Sequence, residues 1–231
     1  MKKIILALLL LIVNLSLVTF PLFAQDVKNK VITVGSGRNK LIALTFDDGP
    51  GLNTEEILKI LDDKQVKATF FMLGNSIEKR PDLVKEVYSK GHEIANHTYN
   101  HINFFKYKEE DIKEKLEEEL LKTQELIKSI IDYETKLVRY PYGYSRKEAL
   151  EVAKKNNYKV INWTFGIDWK KMSKDEMLEQ YLANIKSGYI FLMHDLPKNS
   201  KVTEILPILI DEAKKKNYKF VTVSEIIGKT K

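Results

Sequence analysis

Residues 41–50 read LIALTFDDGP, a short apolar run that ends in two adjacent carboxylates and a Gly-Pro turn. Leu41–Phe46 is apolar at nearly every position, as expected of a parallel strand that is buried on both faces. No glycine-rich phosphate loop follows this run, which disfavours a dinucleotide-binding sheet. The stretch therefore predicts a buried strand that carries Asp47 and Asp48 at its carboxyl end.

Six further short apolar runs repeat this pattern and alternate with amphipathic segments. Apolar residues at three- and four-residue steps predict helices in those segments. Seven strands alternating with helices predict one α/β domain with a parallel barrel, an open doubly wound sheet being the alternative. The predicted strands are Leu41–Phe46, Ala68–Leu73, Glu93–Asn96, Leu137–Arg139, Val160–Trp163, Tyr189–Met193 and Phe220–Val223. The predicted helices are Thr54–Lys64, Pro81–Lys90, Lys108–Ile131, Arg146–Asn156, Lys174–Ile185, Thr203–Asn217 and a short last helix capped by Ser224.

The composition is that of an ordinary globular domain, with 231 residues, 44% hydrophobic and 30% charged residues and no cysteine. It excludes collagen, low-complexity disorder, a disulfide-stapled miniprotein and any cysteine-ligated metal site. The formal charge is +6, but lysine and glutamate are mixed along the helical segments and form no basic block. Nucleic acid is therefore not expected as a partner.

Residues 1–24 have the layout of a secretory signal peptide. Lys2 and Lys3 precede an uncharged run that continues to Gln25, and Ala24 is a small residue suited to cleavage. A retained membrane anchor is the alternative, because the run is long enough to span a bilayer. Residues 25–39 form a polar leader, and residues 40–231 form the predicted catalytic domain. We therefore expect a secreted or extracytoplasmic, cell-wall-associated protein that lies at the membrane only if this helix is retained.

Two of the four histidines, His97 and His101, lie four residues apart just after the third predicted strand. On a helical turn this spacing places both imidazoles on one face. Two imidazoles and one carboxylate form a standard catalytic zinc set, with the fourth position left for water. One of Asp47 and Asp48 could bind the metal while the other acts as a base. Taken alone, each motif is also compatible with a solvated turn or loop.

Three more polar groups follow predicted strands. His194 comes directly after an apolar run, where a hydrogen-bonded core histidine is the alternative to a catalytic one. Arg139 precedes a proline turn and could orient a carboxylate, the alternative being a surface arginine at a strand-loop junction. Asp168 could provide a carboxylate for His194, and Trp169 an aromatic wall for a ligand. The alternative is that they are only an aspartate in a turn and a partly buried tryptophan. His92 has no such neighbours and is interpreted as structural.

Together these motifs resemble those of the polysaccharide deacetylase family, the carbohydrate esterases of family 4 with a NodB-homology domain. The resemblance runs from about Lys40 to Ile227 and implies a distorted (β/α) barrel of seven to eight parallel strands. In the fourth motif Phe165 stands where the family usually has an earlier aspartate. The matching motifs are Thr45–Pro50, His97–His101, Arg139–Gly143, Asp168-Trp169 and Leu192–His194.

The resemblance also implies a role for each residue. Asp48, His97 and His101 would hold one divalent metal ion, Zn²⁺ or alternatively Co²⁺. Asp47 would be the general base, held in place by Arg139. The departing amine would be protonated by His194 with support from Asp168. Substrate would be bound by Tyr142, whose backbone N–H would stabilise the oxyanion, and by Trp169 and Leu192, which would line the acetyl pocket.

The implied activity is a metal-dependent N-deacetylase that hydrolyses acetamido groups of N-acetylated amino sugars, with peptidoglycan as the leading polysaccharide substrate. Such an enzyme is a hydrolase of carbon–nitrogen bonds other than peptide bonds, and we expect a monomer. The alternatives are a chitin-oligosaccharide or exopolysaccharide deacetylase, an acetylxylan O-deacetylase and a non-catalytic glycan-binding module. The last of these would lack a base, a metal ligand or an acid, whereas all of these groups are present here.

Overall fold

The computed structural model describes residues 30–228 of the chain. The predicted signal peptide or anchor and the first part of the polar leader lie outside the described residues. Among residues 30–228, none of the helices combines the length and apolar character needed to cross a membrane.

Seven parallel strands form one curled sheet in the order β5-β4-β3-β2-β1-β6, and β7 pairs with the first residues of β1. Each predicted strand overlaps an observed one, and β1 is buried at all of its positions, as its sequence predicts. The strands are β1 (Leu41–Asp47), β2 (Thr69–Met72), β3 (Glu93–Asn96), β4 (Leu137–Val138), β5 (Lys159–Val160), β6 (Ile190–His194) and β7 (Lys219–Phe220).

Helices surround this sheet, and most were predicted from their apolar periodicity. The fourth helix begins at Ile112 instead of Lys108, and the short second helix was not predicted. The helices are α1 (Thr54–Asp63), α2 (Gly74–Lys79), α3 (Pro81–Ser89), α4 (Ile112–Ile131), α5 (Lys147–Lys155), α6 (Lys174–Ala183), α7 (Lys201–Lys215) and α8 (Val223–Gly228).

The end of the chain departs from its prediction. The last strand ends at Phe220, and the final helix already begins at Val223. Its cap is Thr222 and not Ser224, because Thr222 Oγ1 accepts a hydrogen bond from the Glu225 N–H at 3.3 Å. The Glu225 carboxylate in turn accepts from the Thr222 N–H at 2.9 Å. This reciprocal capping box starts the helix earlier than the sequence prediction placed it.

Within residues 30–228, isolated bridges from neighbouring segments, and no direct pairing of the edge strands β5 and β6, close the curled sheet, so the barrel prediction is confirmed in a distorted form. Phe165 pairs with Phe191 of β6, and the Leu192 N–H donates to the Phe165 carbonyl at 2.8 Å. Two bridges come from the segment before β1, joining Ile32 to Ile161 and Val34 to Tyr189. The open doubly wound alternative does not describe this curled arrangement.

Alternation along β1 determines where polar groups lie. Ile42, Leu44 and Phe46 face the cluster between the sheet and the outer helices. Leu41 and Ala43 face the interior of the curl, where α8 packs beneath them. Because side chains alternate between the faces of a strand, Thr45 and Asp47 follow on the interior face. One end of the interior is therefore apolar, and the carboxyl end carries the polar groups.

Candidate active site

A buried ion pair lies at the carboxyl end of the interior. Arg139 directly follows β4 and is completely buried, so the surface-arginine alternative is wrong. Its Nη1 donates to Asp47 Oδ1 at 2.6 Å and to Thr45 Oγ1 at 2.8 Å. Nε and Nη2 donate to the carbonyl oxygens of Ile161 and Asn162 at 3.3 and 3.1 Å. Burial lowers the pKa of Arg139, while the Asp47 carboxylate beside it favours the charged form.

Asp48, His97 and His101 converge beside this pair. Asp48 has a φ of 76°, and its carboxylate approaches the same imidazole as that of Asp47, whose Oδ2 lies 3.7 Å from His97 Nε2. Asp48 Oδ1 lies 3.4 Å from His97 Nε2 and 3.2 Å from His101 Nε2. One ligand atom from each residue lies within 4.8 Å of the others. Burial alone would raise the pKa of Asp48, but the two imidazoles beside Oδ1 outweigh burial and hold the pKa below its usual range.

These three residues fit a divalent metal ion. Asp48 Oδ1 is buried and accepts no hydrogen bond within the described residues, although both imidazoles are close to it. His97 Nδ1 lies 2.6 Å from the Arg139 carbonyl oxygen, which can only accept. Its Nδ1 therefore carries a proton, and Nε2 is the nitrogen that faces Asp48. This is how a carbonyl commonly orients a metal-binding histidine.

The segment that carries both histidines is an irregular loop, so the predicted helical turn is wrong. Thr98 and His101 both adopt left-handed backbone conformations, with φ of 69° and 58°. Such conformations cost free energy in residues other than glycine and require support from their surroundings. The loop, rather than a helix face, brings His101 back toward Asp48.

Glu119 on α4 supplies that support and was missed by the sequence analysis. Its Oε2 accepts from the backbone N–H groups of Tyr99 and Asn100 at 3.0 and 2.6 Å, and its Oε1 accepts from Asn100 Nδ2 at 2.7 Å. Glu119 is only 2% exposed. Its position three residues after Leu116 and four before Thr123 places it within the apolar stripe of α4. An acidic residue within such a stripe is a signal that could have identified it.

A second pair of side chains lies across the cleft. Asp168 Oδ1 lies 2.9 Å from His194 Nδ1, and its Oδ2 accepts from the His194 N–H at 2.8 Å. Asn199 Nδ2 also donates to Asp168 Oδ2, at 2.9 Å. Burial lowers the pKa of His194, but the Asp168 carboxylate outweighs burial and raises it above its usual value. Asn199 is the last residue of the short 3₁₀ turn Pro197–Asn199, and no sequence pattern identified it.

Strand register brings the two sides together. Asp47 and His194 are direct partners in the parallel pairing of β1 with β6. They face a cleft of about 610 Å³. Because a carboxylate and an imidazole flank one cavity, a group bound between them can lose a proton on one side and gain one on the other. Among the residues lining the cleft are Asp47, Asp48, His97, His101, Tyr142, Trp169, Leu192 and His194.

The three predicted substrate-binding residues line this cleft. Tyr142 has a φ of 59°, and its ring lies 4.9 Å from that of His101. Within residues 30–228 no acceptor takes its backbone N–H. Trp169 is 48% exposed and packs edge-on against His194, with ring centroids 5.8 Å apart. Leu192 is almost fully buried in the cleft wall.

Phe165 does not line the cleft. Its ring packs against Tyr181 and Phe191, with centroid separations of 5.2 and 6.1 Å. Where the family usually has an aspartate, this chain therefore places a hydrophobic contact that joins α6 to β6.

Asp195, directly after His194, was not assigned a role from the sequence. It is completely buried, and its Oδ2 accepts from Thr54 Oγ1 at 2.5 Å. A Cβ on Gly49 would lie only 2.1 Å from that same oxygen, so the turn after Asp48 needs a glycine there. Burial raises the pKa of Asp195 to about 7. This residue connects the end of β6 to the turn that carries Asp47 and Asp48.

Comparison with known sequences gives a consistent result. The sequence profile of the polysaccharide deacetylases matches residues 35–161. A peptidoglycan-N-acetylglucosamine deacetylase of Bacillus cereus is 36% identical over 194 residues, covering 82% of this chain and 69% of that protein. The peptidoglycan-N-acetylglucosamine deacetylase PgdA of Listeria monocytogenes is 34% identical over 82% of this chain and 39% of its own length.

Solved structures agree with this similarity. The peptidoglycan N-acetylglucosamine deacetylase Bc1960 has a TM-score of 0.80 and 34% identity, over 87% of this chain and 94% of that one. BA3943 of Bacillus anthracis, described as a CE4 family pseudoenzyme, has a TM-score of 0.79 and 28% identity, over 87% of this chain and 70% of that one. The fold therefore occurs with and without enzymatic activity.

Proposed function

This chain belongs to the polysaccharide deacetylase family, and we propose that it removes the acetyl group from N-acetylglucosamine residues of peptidoglycan. As a family member it is a hydrolase that cleaves an amide carbon–nitrogen bond. The single observation that carries the proposal is the register of β1 with β6, which sets Asp47 level with His194 on adjacent strands that line one cleft. Peptidoglycan is chosen because relatives with 34–36% identity carry that activity in their names. The site of action would then be outside the cytoplasm, in the cell wall.

Asp48, His97 and His101 would hold one divalent ion, for which Zn²⁺ is the first candidate and Co²⁺ the second. Two neutral imidazoles and one carboxylate are a ligand set that suits catalytic zinc. When bound there, such an ion supplies a Lewis acid that polarises the acetamide carbonyl and lowers the pKa of water. The unpaired buried oxygen of Asp48 and the tautomer fixed at His97 support this assignment.

Asp47 would act as the general base. Arg139 engages Oδ1 at 2.6 Å and so fixes the carboxylate plane, which leaves Oδ2 for the proton of the attacking water. The water oxygen bonds to the acetamide carbon as that proton transfers to Asp47. The carbonyl oxygen then carries the negative charge, and the unpaired N–H of Tyr142 would donate to it.

His194 would act as the general acid. Its Nδ1 is engaged by Asp168, so Nε2 is the nitrogen that can donate to the leaving group. An amine leaves poorly as an anion, and protonation of the amide nitrogen by His194 accompanies cleavage of the carbon–nitrogen bond. The products are acetate and a free amino sugar. Leu192 and Trp169 would enclose the acetyl methyl group, which contacts only apolar surface there.

The test is acetate release by the purified, zinc-loaded protein from peptidoglycan, N-acetylglucosamine oligomers and acetylated xylan, each with a chelated control. We expect acetate release from peptidoglycan and from N-acetylglucosamine oligomers, and we expect chelation to abolish that release. Acetate release from xylan alone would change the assigned activity from N-deacetylation to O-deacetylation. The absence of release from every substrate would contradict an enzymatic function.

Two matched variants separate catalysis from binding. Asp47→Asn removes the proposed base, and Asp63→Asn makes the same chemical change at an exposed position of α1. We expect the first to lose acetate release but keep glycan binding and zinc, and the second to match the wild type. A fully active Asp47→Asn protein would contradict the assignment of the base.

A further inference from the structure

A second cavity, which we call the lysine pocket, lies beside the cleft and has a volume of about 350 Å³. Lys170, Lys171, Lys198 and Lys201 line it, together with Trp169. The first three of these lysines are exposed, so their ammonium groups are available to a ligand. None of the residues proposed for catalysis accounts for this concentration of positive charge.

The lysine pocket adjoins the cleft. Trp169 and Lys198 line both cavities, and the exposed Trp169 ring forms the wall between them. The ring also contacts His194, the residue proposed to protonate the leaving nitrogen. A group bound among the lysines therefore lies close to a sugar whose acetamide is bound in the cleft.

The charge of the lysine pocket is largely uncompensated. Over residues 30–228, Lys170, Lys171 and Lys198 form no ion pair with a carboxylate. Lys201 differs, because its Nζ donates to the Met172 carbonyl oxygen at 2.5 Å. The one carboxylate that lines the pocket, Asp168, is already engaged by His194 and Asn199. Three cations at the edge of a substrate cleft attract an anionic group and favour its binding.

We propose that the lysine pocket binds a carboxylate carried by the glycan next to the N-acetylglucosamine that is deacetylated. This inference rests on the proposed function and specifies the substrate. In peptidoglycan the neighbouring sugar bears a lactyl group whose carboxyl is either free or extended by a peptide that has carboxylates of its own. A lysine ammonium is a compact charge on a flexible stem, so three lysines tolerate several positions of that carboxylate. N-acetylglucosamine oligomers carry no such group and gain nothing from the pocket.

The test compares an alternating oligomer of N-acetylglucosamine and N-acetylmuramic acid with the same oligomer after amidation of its lactyl carboxylates. Both kcat/KM and Kd, the latter by calorimetry, are measured at low and high ionic strength. We expect the wild type to prefer the carboxylate form at low salt and to lose much of that preference at high salt. In the triple variant K170Q/K171Q/K198Q the preference should fall by about tenfold, roughly the sum of three exposed ion pairs.

The control is the triple variant K59Q/K159Q/K219Q, which removes the same charge from exposed lysines that line neither cavity. It should keep the wild-type preference. An equal fall in both variants, or no fall in the first, would overturn the proposal. Tighter binding of inorganic phosphate than of the carboxylate oligomer would also overturn it.

The two proposals fail in different ways. If the wild type releases no acetate from any oligomer, the proposed function is wrong. The Kd values would still show whether the lysine pocket binds the carboxylate. Equal Kd values for the carboxylate and amidated oligomers would contradict the lysine pocket proposal. Acetate release from neutral oligomers in that same case would still support the deacetylase function.

Discussion

Replacing Arg139 by methionine should lower the free energy of unfolding by about 3–5 kcal/mol, the usual cost of removing one partner from a buried ion pair. The guanidinium donates four hydrogen bonds, two of them to Asp47 and Thr45. The Asp47 side chain is only 3% exposed, so its charge would lose its partner without gaining water. Methionine is also a long unbranched side chain, and loss of the charge pair should therefore outweigh any loss of packing.

Two further variants test whether the unpaired charge is the cause. Arg139→Lys keeps a cation for Asp47 but cannot span the Ile161 and Asn162 carbonyl oxygens, so we expect an intermediate loss of about 1–3 kcal/mol. Combining Arg139→Met with Asp47→Asn removes the charge together with its partner. The double variant should then be more stable than the sum of the two single losses predicts, by about 2 kcal/mol.

The measurement is urea unfolding followed by circular dichroism, with a chelator present so that metal binding does not contribute to stability. A free energy of unfolding for Arg139→Met within about 1 kcal/mol of the wild-type value would refute the argument from buried charge. Strict additivity in the double variant would refute it as well, because it would show that Arg139 and Asp47 do not stabilise each other.

Three other outcomes follow from the site and its neighbours. Asp168 raises the pKa of His194, and the proposed acid must be protonated, so activity should fall as the pH rises through that pKa. Replacing Asp168 by asparagine should lower the pKa of His194. The basic limb of the pH profile of kcat/KM should then move to lower pH. An unmoved limb would count against His194 as the acid. His97→Ala should lose its zinc when metal content is measured per chain, and an unchanged content would contradict the proposed ligand set. Phe165→Asp should lower the free energy of unfolding in urea by about 3–5 kcal/mol, because it places a carboxylate against Tyr181. Phe165→Leu should lower it by about half as much. Equal losses in the two variants would contradict this reasoning.

The elements around the site could be predicted because their periodicity is local. The apolar run before Asp47 predicts β1 as a buried strand, and the two-residue period of any strand then places Thr45 and Asp47 on one face at its end. The backbone conformations within the site could not be predicted in this way. Asp48 and His101 adopt a positive φ that few residues other than glycine favour, and only the surrounding contacts hold them there.

Closure of the barrel was also beyond sequence reasoning. Ile32 and Val34 lie in a segment that reads as a polar leader, yet each pairs with a residue far along the chain. Single bridges of this kind leave no run of alternating residues to detect. Glu119 is different, because its place within the apolar stripe of α4 was visible but was not interpreted.

Arg139 serves the two proposed functions of the cleft through different atoms. Its side chain holds the Asp47 carboxylate, while its backbone carbonyl accepts from His97 Nδ1 at 2.6 Å and so fixes the nitrogen that faces Asp48. Replacing the side chain leaves that carbonyl in place as long as β4 stays folded. Arg139→Met should therefore keep its metal content under folding conditions and still lose acetate release, because Asp47 is no longer held. Loss of both together in a folded variant would mean that the base and the metal ligands are not positioned independently.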